Sequence, residues 1–251
     1  MYINDVHINY YILAVLLGIA IGQLTDWMIR RLEADKPAFC KGFLKEMKND
    51  AHPNFFLMTL TPIIYIFLLY VYGINNGGIL ENLGLIKFVM MVPILLAVFK
   101  IDYDQQIIPN RLNLTLFELG LVFTILYGFN NVMISVDRVL GLVVGGGIFL
   151  LITLLGGFIA GKEAMGLGDV KLMCGLGLLF GFANTLIICF VAFLIGAVIS
   201  VLLLATKKKK TNEYIPFGPF IILATFIVIF VPSNILVTIL LNIFTLGMIN
   251  R

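Results

Sequence analysis

The chain has 251 residues, 61% hydrophobic and only 12% charged, with net charge +3 and a mean hydropathy of +1.05. Soluble domains are about half apolar and about a quarter charged. This composition therefore excludes a water-soluble globule, a disordered chain and a nucleic-acid-binding module. It implies an all-α polytopic membrane protein, in which every backbone polar group is satisfied inside helices. The three cysteines, Cys40, Cys174 and Cys189, contain no C-x-x-C pair. They offer neither a disulfide framework nor a tetrahedral metal site.

A spanning helix needs about 20 mainly apolar residues. In chain order such runs lie at 8–28, 55–73, 83–100, 112–129, 139–160, 170–183, 184–206, 216–231 and 233–249. The expectation is a bundle of about eight or nine crossings, with the sixth and the last two runs short enough to be tilted spans, half-buried helices or a hairpin. The first nine residues carry no Lys or Arg, so the first run is expected to be a retained span rather than a cleaved signal peptide. With the amino terminus outside, segments 29–54, 100–111, 161–171, 207–213 and the carboxyl end lie inside. They hold 15 of the 17 basic residues, all but Lys87 and Arg138. That asymmetry follows the positive-inside rule. The region 1–82 reads as an amino-terminal membrane part with a cytoplasmic loop at 29–54, and 83–251 as the core. Phe43, Leu44 and Met47, set between lysines, suggest a short surface helix. Lys207 to Lys210 read as a cytoplasmic anchor. No internal repeat suggests an inverted-repeat transporter.

Ionisable residues in or beside spans are costly and are the first candidates for chemistry. Two acidic positions stand in unusual surroundings. Asp102 lies in F-K-I-D-Y-D-Q-Q-I-I-P-N-R, residues 99–111, where Pro109 suits the start of the fourth span because a first helical turn needs no N–H donor. Asp169 lies in G-K-E-A-M-G-L-G-D-V-K-L, residues 161–172, where Gly161, Gly166 and Gly168 permit positive φ and close backbone approach. Each motif alone also fits a bland description: a polar interfacial loop, and a glycine-rich turn that Asp169 caps. Charge counting puts both carboxylates at the same membrane boundary. Two carboxylates in a partly dry site share one proton and titrate as a pair. One can then take a proton from water while the other donates to a peptide carbonyl. Asp102 and Asp104 would point about 200° apart on a helix, so only one of the two can face Asp169. His7 and His52 are isolated, and no P-loop, G-x-S-x-G or H-E-x-x-H occurs. Glu118 could line a cavity or pair with another helix. Gly145 to Gly147 and Gly218 are read as helix-packing residues.

Together with I-P-F-G-P-F at 215–220, the two motifs resemble the bacterial type IV prepilin peptidases, membrane aspartyl proteases of the G-x-G-D class, over residues 85–230. The resemblance implies a catalytic pair, Asp102 and Asp169, with Gly166, Gly168, Lys171, Pro109 and Asn110 around the substrate. It implies removal of a basic leader from prepilins or pseudopilins at the cytoplasmic face of the cell membrane. S-adenosylmethionine would be needed if the new amino terminus is also methylated; the peptidase itself would need no cofactor. The amino-terminal third departs from the family pattern. Its loop has only Cys40 in place of two zinc-binding C-x-x-C pairs, with Gly22, Arg31 and Leu32 retained, Asp26 in the place of an Asn and Glu33 in the place of a Pro. No metal is therefore expected. Two other readings compete: a presenilin-like intramembrane protease, which would need the first Asp deep in a span, and a proton-coupled transporter relaying through Asp102, Glu118 and Asp169. The pilus or secretion system served, and the oligomeric state, are open.

Overall fold

The computed structural model describes residues 2–3, 6–34, 54–74, 81–160, 165–206 and 215–244. The expected surface helix around Phe43, the residues Cys40, His52, Gly161, Lys162 and Glu163, and the Lys207–Lys210 run lie outside them. The described helices are α1 (Ile8–Glu33), α2 (Phe55–Tyr72), α3 (Leu83–Gln105), α4 (Asn110–Gly128), α5 (Val132–Ala160), α6 (Leu167–Phe180), α7 (Phe182–Ala205), α8 (Gly218–Phe230) and α9 (Ser233–Phe244). A two-residue ladder, Tyr2–Ile3 against Val6–His7, precedes α1. Each of the nine apolar runs contains a helix over its described residues. Six helices, α1 to α5 and α7, are long and apolar enough to cross a membrane; the bent pair α8 and α9 would make a seventh. Among the described residues, six or seven candidate spans thus stand against the eight or nine crossings expected from the apolar runs. α6 has 14 residues, about 21 Å of helix, which is shorter than the hydrocarbon layer. α8 and α9 meet at 116°, where Pro232 cannot continue the ladder of helical hydrogen bonds.

The chain divides into two compact units, Met1–Ile101 and Asp102–Arg251, with the boundary inside α3. In the first, α1 and α2 lie backbone to backbone: a Cβ on Gly22 would stand 2.6 Å from the Leu57 carbonyl oxygen, and one on Gly18 2.5 Å from Pro62 Cα. Asp26 ties the two ends together, pairing with Arg30 at 2.8 Å and accepting from Asn54 Nδ2 at 2.6 Å. Asn54 Oδ1 in turn accepts from Phe56 N–H and caps α2. Asp26 is therefore a paired end-anchor.

The second unit is built around α6, whose apolar residues are buried on nearly every side. α5 and α4 flank it. Small residues set the spacing: a Cβ on Gly141 of α5 would come within 2.5 Å of the Gly177 carbonyl oxygen of α6. Gly145 makes a similar approach to Met173, while nothing lies near Gly147. Gly181 joins α6 to α7 in one residue at φ 79°, a left-handed conformation that glycine adopts without steric cost. At this end Arg138 of α5 reaches under α6. Its Nη1 donates to the carbonyls of Leu178 and Leu179 at 3.0 Å, and its guanidinium lies 4.2 Å from the Tyr127 ring centroid. A cation here satisfies carbonyls that have no partner within the helix and complements the negative end of its dipole. That accounts for one of the two basic residues outside the predicted inside loops.

Candidate active site

Asp102 and Asp169 belong to the same compact unit, Asp102 three residues before the end of α3 and Asp169 in the first turn of α6. Both are almost fully buried, 4% and 3% exposed. Asp102 takes a backbone hydrogen bond from Gly218, yet its Oδ2, like Asp169 Oδ1, has no hydrogen-bond partner. Burial first, and the Asp102 charge second, hold the Asp169 carboxyl well above the usual carboxylate range. Asp104 is exposed on the other side of the same helical turn, as the angular offset between the two residues requires.

α6 is capped by Gly166, with φ −71° and ψ 142°; the Asp169 N–H donates to the Gly166 carbonyl, and the Asp169 carboxylate takes a backbone hydrogen bond from Gly166. The glycine-rich turn is thus capped by Asp169 in part, which leaves Oδ1, buried and without a partner, for the chemistry. Neither described glycine of the motif uses the positive φ it permits: Gly166 is extended and Gly168 is helical. Gly168 is small for a packing reason, since a Cβ there would stand 3.1 Å from Ile108 Cβ. Gly218 likewise serves the carboxylate more than a helix contact, because its Cβ would lie 2.5 Å from Asp102 Oδ2. The start of α8 is fixed there by Phe217, whose ring packs on Phe193, Phe149 and Phe220 at centroid distances of 5.1, 5.9 and 5.8 Å. I-P-F-G-P-F thus uses one phenylalanine as anchor and one glycine as the surface presented to Asp102.

Pro109 precedes α4 with an extended backbone. Asn110 and Lys171 meet across the α4–α6 seam, Nζ donating to Oδ1 at 2.7 Å. They form the polar rim of a groove of about 450 Å³ whose other walls are Asn113, Leu114, Phe117 and Cys174. Asn113 was not among the sequence candidates. Its Nδ2 donates to the Gly168 carbonyl at 3.1 Å, which fastens the glycine beside Asp169 to α4, and its Oδ1 has no partner. The only sequence signal for it was its place three residues after Asn110, on the same helix face. Glu118 is exposed and is not part of the groove lining. Among the described residues no group of His, Cys, Asp and Glu could hold a metal ion.

Residues 89–201, which include both aspartates, match the type IV leader peptidase family. The chain is similar to the prepilin leader peptidase/N-methyltransferase of Aeromonas hydrophila, 32% identical over 57% of this chain and 49% of that protein. It is also similar to the proteins of the same name from Xanthomonas campestris pv. campestris, 35% identical over 54% and 46%, and Legionella pneumophila, 28% identical over 72% and 60%. The chain spans about half the length of the first of these relatives. No solved structure matches it.

Proposed function

We propose that this multi-pass membrane protein is an aspartic endopeptidase that removes the leader peptide from type IV prepilins or pseudopilins. The observation that carries the reading is the pair of buried carboxylates, each with an oxygen left without a partner, one at the end of α3 and one at the start of α6. Such a pair retains one proton between its members. In the reaction the ionised carboxylate takes a proton from water as the water oxygen attacks the scissile carbonyl carbon, and the protonated partner donates to the carbonyl oxygen. The resulting diol collapses, the C–N bond breaks and the leaving nitrogen takes a proton back from the pair. Gly166, Gly168, Pro109, Asn110 and Lys171 are the residues we assign to the substrate peptide, Asn110 and Lys171 at the groove rim. The distribution of basic residues supports an amino terminus outside and a site facing the cytoplasm across the cell membrane.

Methylation of the new amino terminus is the second activity, on the strength of the relatives' names. S-adenosylmethionine would supply the methyl group. The groove offers one cation and two carboxamides but no carboxylate to hold the donor's ribose hydroxyls or its sulfonium charge, so we assign none of these residues to it. Incubating the purified protein with a prepilin in detergent tests both activities. Leader removal supports the peptidase reading, and an intact prepilin contradicts it. Transfer of a labelled methyl group to the product decides the second activity.

A further inference from the structure

Neither free oxygen of the aspartate pair is open to water, although the proposed chemistry needs both to reach it. Ile108 lies where the access should be. It belongs to the short non-helical link between α3 and α4, and its side chain extends from one site glycine to the other. Its Cβ is 3.1 Å from the point where a Cβ of Gly168 would stand, and its Cδ1 is 3.3 Å from the corresponding point of Gly218, which itself lies 2.5 Å from Asp102 Oδ2. Residues 103 to 107 are all exposed and Ile108 is the buried one. Gln106 sits at φ 58°, a left-handed conformation that a residue with a Cβ adopts at a cost.

We propose that Ile108 is the plug of the acid pair: it occupies the space between Gly168 and Gly218 that the scissile peptide takes, and the link 106–109 must withdraw it before water and substrate reach Asp102 and Asp169. The aspartates thus stay dry and inert until a peptide long enough to displace Ile108 enters from the groove side. Ile108 touches no reacting atom in this scheme; it is a gating residue, and its role rests on the peptidase reading only for what displaces it.

The test is modification of Asp102 and Asp169 by a water-soluble carbodiimide, followed residue by residue by mass spectrometry on the full-length protein in detergent, without substrate. Ile108→Ala should raise the labelling rate of both aspartates severalfold, with exposed Asp104 unchanged as the internal reference. Ile108→Val removes only Cδ1, the atom that reaches Gly218, and should give a smaller rise while the protein stays folded if the alanine variant does not. Equal labelling of the wild type and a folded Ile108 variant would overturn the proposal. So would a rise at Asp104 of the same size, since that reports loosening of the whole link. Because the labelling needs no prepilin, a wild-type protein that fails to cleave leaves this readout intact, and the two readings fail separately.

Discussion

At the scale of single residues, the site combines groups that burial makes costly with groups kept small to let them approach. A carboxyl buried without a hydrogen-bond partner costs about 1–3 kcal/mol, and Asp102 and Asp169 each carry such an oxygen. Stability alone would not retain two of them. Gly168 has a Cβ-sized gap bounded by Ile108, and its carbonyl is bound by Asn113. Gly168→Val should therefore lower cleavage by about 100-fold, the scale of an ångström-sized misplacement in a site. Membrane abundance and thermal stability should change little, because the neighbour that must yield stands on an exposed link. Assaying cleavage beside abundance separates these effects; normal cleavage would remove Gly168 from the site. The two aspartates were legible in the sequence because ionisable residues are so scarce in an apolar chain that each must be explained. Ile108 and Asn113 were not. An isoleucine beside Ile107 and an asparagine in a polar helix start look like their surroundings, and only the fold brings them to the glycines.

Among the helices, the important relation is between the two ends of α6. Its first turn carries Asp169, and its last carbonyls are held by Arg138 and by Thr124, whose Oγ1 donates to the Leu178 carbonyl at 3.3 Å. A helix too short to span has no lipid headgroup region to fix its ends, so its depth is set by these contacts and by the Gly141–Gly177 crossing. Arg138→Ala should lower thermal stability by about 1–3 kcal/mol, the cost of buried carbonyls that lose their donor. Arg138→Lys should recover only part of it, since a point charge cannot reproduce the planar fork or its stacking on Tyr127. Thermal unfolding in detergent checks this; an unchanged midpoint for the alanine variant would show that α6 is held elsewhere. The apolar runs located the nine described helices but did not show which ones cross. Hydropathy registers how apolar a run is, and α6 and α8 are as apolar as spans while enclosed by other helices. The 116° bend at Pro232 was visible only as a break between two short runs.

For the whole molecule, the scheme predicts a peptidase that works without metal. The sequence contains no set of ligands at metal-binding spacing, and an acid pair needs none. EDTA should leave the cleavage rate unchanged, and loss of activity that zinc restores would contradict the mechanism. The central claim is that the two buried aspartates do the chemistry. The most direct measurement is prepilin cleavage by purified Asp102→Asn, Asp169→Asn and Asp104→Asn, each first shown to be folded and membrane-inserted at the wild-type level. Asparagine keeps the shape and removes the proton traffic, and general acid–base catalysis contributes about 10²–10⁴-fold. The account predicts that the first two lose at least about 100-fold in rate while Asp104→Asn cleaves like the wild type. Near wild-type cleavage by either Asp102→Asn or Asp169→Asn would contradict it.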